Sequence, residues 1–435
     1  MKLNIRHIFL LSMVSILLLS CSDNFKKEDA RVVNKLSELY DSQDYFKLKT
    51  YYKLNKQSLS EKSSLYFNAL IQHHFNKQLE SNQLIDKLLN EFQEEMPDSL
   101  VHKLYETKLW NHINLYDYRN AAECSKVIIR DYNKLIDSVK LISLKNEIKI
   151  WQALSNTPKQ EVVKNGDSKI VMKRDKVGFM NISTTFKNDT LPFVFDTGAN
   201  FSAIKRSVAK ELNFEIIEAD FYVTAATGEK VKSALAISKE LNFENILVKN
   251  AVFLVFEDKD LSFPQVDYYP NGIVGFPVIE AMEELHFDIN GDVFIPEIPI
   301  AYPFENLALD GLMPIIAVNY KQDTLNFNFD TGASTTMLYS PFYKINQLDL
   351  DKNYQLEEFS SASGGGAKKF EGYVLDSISL GIANSRATIK KVRLHKEPIF
   401  EIVEKTHGNF GQDYIRQFKT MIMSFKHSSV IFKAE

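Results

Sequence analysis

Cysteine is almost missing from this chain: only Cys21 and Cys124 occur in 435 residues. Cys21 falls in a leader described below, so Cys124 is left alone and an intramolecular disulfide framework is excluded. Cys124 occupies Ala121-Ala122-Glu123-Cys124, a small apolar position on a helical stretch, and reads as core rather than nucleophile. Excess positive charge is lacking too, with 52 Lys plus Arg against 56 Asp plus Glu. No broad basic field is available to attract nucleic acid. Nine histidines are scattered, and the adjacent His73-His74 lacks the i, i+4 spacing of a zinc helix, so neither metal nor cofactor is expected. From about residue 31 to about 155, glycine and proline are nearly absent, which removes the punctuation of a strand-and-turn fold.

One apolar run opens the chain. Lys2 and Arg6 precede His7–Leu19, which is short for a membrane span, and Leu18-Leu19-Ser20-Cys21 follows. This arrangement resembles a bacterial lipoprotein signal, which implies cleavage before Cys21, lipidation of Cys21 and a membrane-anchored, exported protein. Ser22 after Cys21 fits outer-membrane retention by resemblance to Gram-negative sorting. The polar residues 22 to about 30 then read as a tether.

In the helical region, about 31–155, Leu84, Leu88, Leu89 and Phe92 form one face, and Val127, Ile128 and Leu135 belong to others. Turn signals at Asp44-Tyr45-Phe46, Gln78-Leu79-Glu80 and Asp117-Tyr118-Arg119 recur at intervals of 34 and 39 residues. That spacing resembles tetratricopeptide-like repeats, although the signature Trp, Gly and Pro positions are not satisfied. Such a region either docks a protein partner or supports the domain that follows. At Asn156-Thr157-Pro158 the helical texture ends, and short alternating strands take over. Three prolines between Pro296 and Pro303 mark an extended connector, which divides the rest into residues 165–296 and 304–435.

These two halves repeat. Lys187-Asn188-Asp189-Thr190-Leu191-Pro192-Phe193-Val194-Phe195-Asp196-Thr197-Gly198-Ala199 returns as Lys321-Gln322-Asp323-Thr324-Leu325-Asn326-Phe327-Asn328-Phe329-Asp330-Thr331-Gly332-Ala333, always 134 positions later. Each copy runs a β-forming stretch into an Asp on a small-residue turn. Further on, Gly272-Ile273-Val274-Gly275 matches Gly408-Asn409-Phe410-Gly411, and each is followed by a short helix and a strand, Leu285–Ile289 and Met423–Lys426. Between Asp and Gly, each half has a small-residue turn, one with Thr227 and Gly228, the other with Gly364, Gly365 and Gly366.

Together these motifs, over residues 165–435, resemble the retropepsin-like aspartic proteases. The resemblance implies a multidomain α plus β protein, with an N-terminal helical repeat-like region before two all-β lobes of acid-protease fold. It further implies a monomer whose lobes pair in cis, with Asp196 and Asp330 meeting at the floor of a cleft. Thr197 and Thr331 would cross-bond the opposite lobe, while Gly198 and Gly332 let the backbone approach. Ser334, Ile273, Val274 and Phe410 would support the loops. The glycine turns would be flaps over a polypeptide substrate.

Two carboxylates in contact cannot both ionise cheaply, so one proton is shared, the arrangement the general account of aspartic proteases itself describes. Asn200 faces Ser334 in the alignment of halves, Ile273 faces Asn409, and Pro277 faces Asp413, so the two sides are expected to differ. The expected activity is aspartic-type endopeptidase. The alternatives are a peptide-binding or scaffolding lipoprotein without turnover, and a helical adaptor with auxiliary β lobes.

Overall fold

Short polar side chains start the N-terminal helices. In the computed structural model, which describes residues 28–187, 189–224, 230–363, 366–398 and 405–434, Asp44, Ser60, Asp117 and Asp137 each accept a first-turn amide. The leader with Cys21 lies outside the described residues, as do Thr227, Gly228, Gly364 and Gly365. Residues 28 and 29, at the end of the stretch read as a polar tether, are bonded to the helices. Glu28 accepts from the amide and hydroxyl of Ser60 at 3.0 and 2.7 Å, and Asp29 caps the first helix.

Seven α-helices follow, Ala30–Asp41, Tyr45–Asn55, Glu61–His74, Gln78–Phe92, Asp98–Asn114, Tyr118–Asp131 and Ser138–Ala153, each packed on the next. They repeat in pairs. Within each of the three pairs, which leave Ser138–Ala153 single, the turn is closed by a left-handed residue: Gln43 at φ 57°, Asn76 at 58° and Tyr116 at 55°. Between pairs, a 3₁₀ turn leads into an extended residue, Leu59, Met96 or Ile136. The expected face of the fourth helix forms, with Leu88 fully buried and Leu84, Leu89 and Phe92 packed around it. Leu135 is an exception, 49% exposed on a 3₁₀ turn.

The three left-handed turns seat the helices on the β lobes. Gln43 Nε2 donates to Asp310 Oδ2 at 2.9 Å, Asn76 Nδ2 to Glu280 Oε1 at 2.8 Å, and the Tyr116 hydroxyl to the Pro277 carbonyl at 2.7 Å. Apolar packing follows the same division. Early helices share a core with Ala308 and Ile315 of lobe two, while Ile113, Tyr118 and Trp151 join the core of the lobes. The helical region is therefore welded to both halves.

Each lobe centres on a strand that ends at its Asp. In lobe one, Asp189–Phe195 pairs with Met180–Phe186, and Gly272–Val274 returns to lie parallel to it, Val274 opposite Phe195. Lobe two repeats the pattern, with Gly408–Phe410 parallel to Asp323–Phe329 and Phe410 opposite Phe329. The returning strand comes so close to the Asp turn that Gly275 and Gly411 admit no side chain. A Cβ there would fall 2.4 Å from the Phe201 carbonyl oxygen and 2.5 Å from the Thr335 carbonyl carbon. A long hairpin crosses each lobe, Glu215–Thr224 with Lys230–Phe243, and Glu357–Ser363 with Gly366–Ile382.

A third sheet joins the lobes. Its five strands run Ser168–Ile170, Val293–Ile295, Glu284–Asp288, Thr420–Ser424 and Ser429–Lys433, so lobe one pairs with lobe two from Glu284↔Ser424 to Asp288↔Thr420. The strand read from sequence as Met423–Lys426 is thus shifted toward the N-terminus, because Phe425 and Lys426 turn back through bonds to the Glu283 carbonyl. The proline connector remains outside the sheets, with Ile298 and Ile300 exposed, and is fixed by the Tyr302 hydroxyl donating to Glu284 at 2.8 Å. The result is an α plus β architecture of helices and two β lobes.

Candidate active site

The buried side chains of Phe193, Phe195, Phe327 and Phe329 at the strand ends fix where each following Asp emerges. Each Asp amide donates to the returning strand, Asp196 to Val274 at 3.1 Å and Asp330 to Phe410 at 3.3 Å. Phe410 is itself locked edge-on between Phe327 and Tyr414, with centroids at 5.5 and 4.5 Å. Val274 and Phe410 are wholly buried behind the turns, whereas Ile273 and Asn409 are half-buried at the equivalent position.

The two turns grip each other. The Thr331 amide donates to Thr197 Oγ1 at 3.0 Å, the Thr197 amide to Thr331 Oγ1 at 3.3 Å, and the two hydroxyls are 3.0 Å apart. Thr197 is fully buried and Thr331 nearly so, so these bonds are shielded from water. Gly198 donates to Asp196 Oδ1 at 2.8 Å, and Gly332 to Asp330 Oδ1 at 2.7 Å. Both carboxylates crowd both glycines. A methyl group on Gly198 would stand 3.0 Å from Asp330 Oδ1 and 3.2 Å from Asp196 Oδ1, and one on Gly332 would stand 3.0 Å from Asp196 Oδ1 and 3.1 Å from Asp330 Oδ1. The structure thus brings Asp196 and Asp330 to one place.

Electrostatics distinguish the two. Burial, followed by the charge of Asp330, pushes the Asp196 carboxyl up to about 6 against the Gly198 and Ala199 amides. Burial also raises the Asp330 carboxyl, but there the Gly332 and Ala333 amides are joined by the Asn409 side chain in favouring its charged form. Asn409 is the functional neighbour that sequence reasoning noted only as a mismatch. Asn200 and Ser334, where inequality was expected, are both exposed, and neither reaches a carboxylate among the described hydrogen bonds.

The third mismatch also has a structural cause. In lobe two, Asp413 accepts from the Thr336 amide at 2.9 Å and its hydroxyl at 2.7 Å, while Thr336 Oγ1 accepts from Gly411 at 3.1 Å. Lobe one keeps only the last link, Gly275 to Ser202 Oγ at 3.0 Å. There Pro277 replaces the acid, and its carbonyl is held by Tyr116 at 2.7 Å and Gln160 Nε2 at 2.9 Å. One loop is braced internally and the other from the helical region.

Of the turn residues, Gly366 begins a strand opposite Ser363, and the other four are outside the described residues. Cys124 is buried in the core, and burial pushes its thiol up to about 11, well away from nucleophile chemistry. Among the described residues, no group of three or more His, Cys, Asp or Glu is arranged to hold a metal.

Two half-buried carboxylates on mutually bonded turns disfavour simultaneous ionisation. A family model described as aspartyl protease matches residues 182–278, which run from the strand before the first Asp through Val278. That match supports a protease-type function. No curated protein matches the chain. Among solved structures, the crystal structure of Basic 7S globulin from soybean is similar over 63% of this chain and 95% of that one, at 9% identity and a TM-score of 0.38.

Proposed function

We propose that the chain is an aspartic endopeptidase in which Asp196 and Asp330 activate a water between the two lobes. The reciprocal Thr197–Thr331 bonding carries this reading, because it fixes the two Asp turns against one another within a single chain. In this reading Asp330, whose Oδ1 accepts from the Gly332 and Ala333 amides at 2.7 and 3.2 Å, is the ionised member and Asp196 holds the proton. Asp330 takes a proton from water as the oxygen attacks the scissile carbonyl, while Asp196 hydrogen-bonds and protonates the carbonyl oxygen. Collapse of the tetrahedral species then returns a proton to the leaving nitrogen. No covalent acyl-enzyme forms.

The substrate class is an extended polypeptide, held by backbone bonds beneath the two hairpins. Thr197, Gly198, Thr331 and Gly332 support the pair. In the same reading, Cys21 carries a lipid anchor that holds the enzyme at the outer membrane of a Gram-negative cell. A peptide-binding role alone gains nothing from burying a like-charge pair, which costs stability near neutral pH.

A soluble form lacking residues 1–21, tested on a peptide library between pH 3 and 8, is expected to cleave. Asp196→Asn and Asp330→Asn should each lower kcat by at least about a thousandfold, in keeping with loss of general acid or base function. Cleavage retained in either variant would contradict the mechanism.

A further inference from the structure

The last N-terminal helix, Ser138–Ala153, touches lobe one at two places, beside the Asp196 turn and on the crossing hairpin. At its C-terminal end Trp151 stacks on Phe201, four residues beyond Thr197, at a centroid distance of 6.0 Å. Five residues earlier, Asn146 meets the hairpin that crosses the lobe. Its Nδ2 donates to the Tyr222 carbonyl at 2.7 Å, and its Oδ1 accepts from the Tyr222 amide at 3.1 Å. A side-chain amide offers the same donor and acceptor as a peptide group, so Asn146 replaces one residue of a neighbouring strand. Lys149, one turn on, donates to the Asp220 carbonyl at 2.6 Å and its carboxylate at 3.2 Å.

The hairpin needs this support. Glu215–Thr224 is the last strand of its sheet, and its pairing with Lys230–Phe243 slips between Ile217 and Phe221. A bulged edge strand leaves backbone groups without ladder partners. Asn146, 9% exposed, satisfies two of them away from bulk water. Across the molecule, Glu357–Ser363 is the edge strand of the second hairpin, and among its described residues no hydrogen bond runs to the N-terminal helices.

We infer that Asn146 and Lys149 are positioning residues for the cleft: one rigid helix fixes the first hairpin relative to the Asp196 turn. From Asn146 to Trp151 the helix rises only about 7 Å, too short a span to flex. The helical region thereby holds the Tyr222 strand and the Phe201 segment at one spacing. Its kinetic consequence rests on the peptidase reading; its structural consequence does not.

The test is hydrogen exchange on the soluble chain, run beside peptide kinetics and thermal melting, for Asn146→Ala, Asn146→Asp and Lys149→Ala. Asn146→Ala is expected to speed exchange of the Tyr222 amide about tenfold, the equivalent of one lost buried hydrogen bond. Exchange in the second hairpin should be unchanged. Asn146→Asp keeps the acceptor for that amide and should restore most of its protection. KM should rise several-fold with kcat within about twofold, a split that a merely structural role would not produce. Unchanged exchange at Tyr222, or equal acceleration in both hairpins, overturns the inference; faster exchange with unaltered KM overturns the positioning role. Should Asn146→Ala fail to fold, Lys149→Ala at the exposed end carries the same comparison. If the unaltered chain cleaves nothing, the peptidase reading fails, and the exchange result still decides whether the helix holds the hairpin.

Discussion

Asp196 is where the chemistry and the stability of this molecule oppose each other. Its carboxyl is raised from 3.8 to about 6, so the folded chain binds this proton more tightly than the unfolded chain does. The resulting stability is fully present below about pH 4 and is lost as pH rises through about 6. Asp196→Asn removes the buried charge, and is expected to stabilise the fold by about 2–3 kcal/mol at pH 7.5, a gain that vanishes at pH 4. Urea midpoints at the two pH values check this; an equal gain at both would contradict it. Asn409→Ile, which copies lobe one, withdraws a donor from Asp330 and lets its carboxyl rise further. The acid limb of kcat/KM should then move to higher pH. Thr197→Val should cost about 1–3 kcal/mol, since it strands the buried Thr331 amide and removes the contact between the two hydroxyls.

Among elements, the two Asp turns reach one geometry by different supports. The doubled Phe-Asp-Thr-Gly was legible because each copy is local, a strand followed by its turn. What held the turns was not legible. Tyr116 lies 161 residues from Pro277, and Asn146 lies 76 from Tyr222, separations at which no sequence period operates. Nor did the pattern show the sheet that joins the lobes, since Glu284–Asp288 and Thr420–Ser424 each read as an ordinary short strand. Asp413 was visible as a mismatch with Pro277, but its partner Thr336 appeared only in the fold. Asp413→Ala should therefore destabilise lobe two by about 2–3 kcal/mol, whereas Tyr116→Phe should cost about 1 kcal/mol and loosen lobe one. Exchange protection mapped lobe by lobe separates these outcomes.

At the scale of the whole molecule, the helical region is part of the same body as the lobes. Tyr118, Trp151 and Phe201 stack in sequence, and Trp151 belongs to the core that continues through both lobes. Removing the helices would uncover this apolar surface together with Ala308 and Ile315, so residues 156–435 alone are expected to aggregate. Three repeated turns, Gln43, Asn76 and Tyr116, direct the helical array toward the lobes, which favours support over an independent docking module.

In the proposed mechanism Asp196 and Asp330 share one catalytic proton, and the pH dependence of peptide cleavage reads that proton. A bell-shaped kcat/KM is expected, falling on its alkaline side near pH 6, where Asp196 loses its proton. A rate that rises through pH 7 without falling would contradict it.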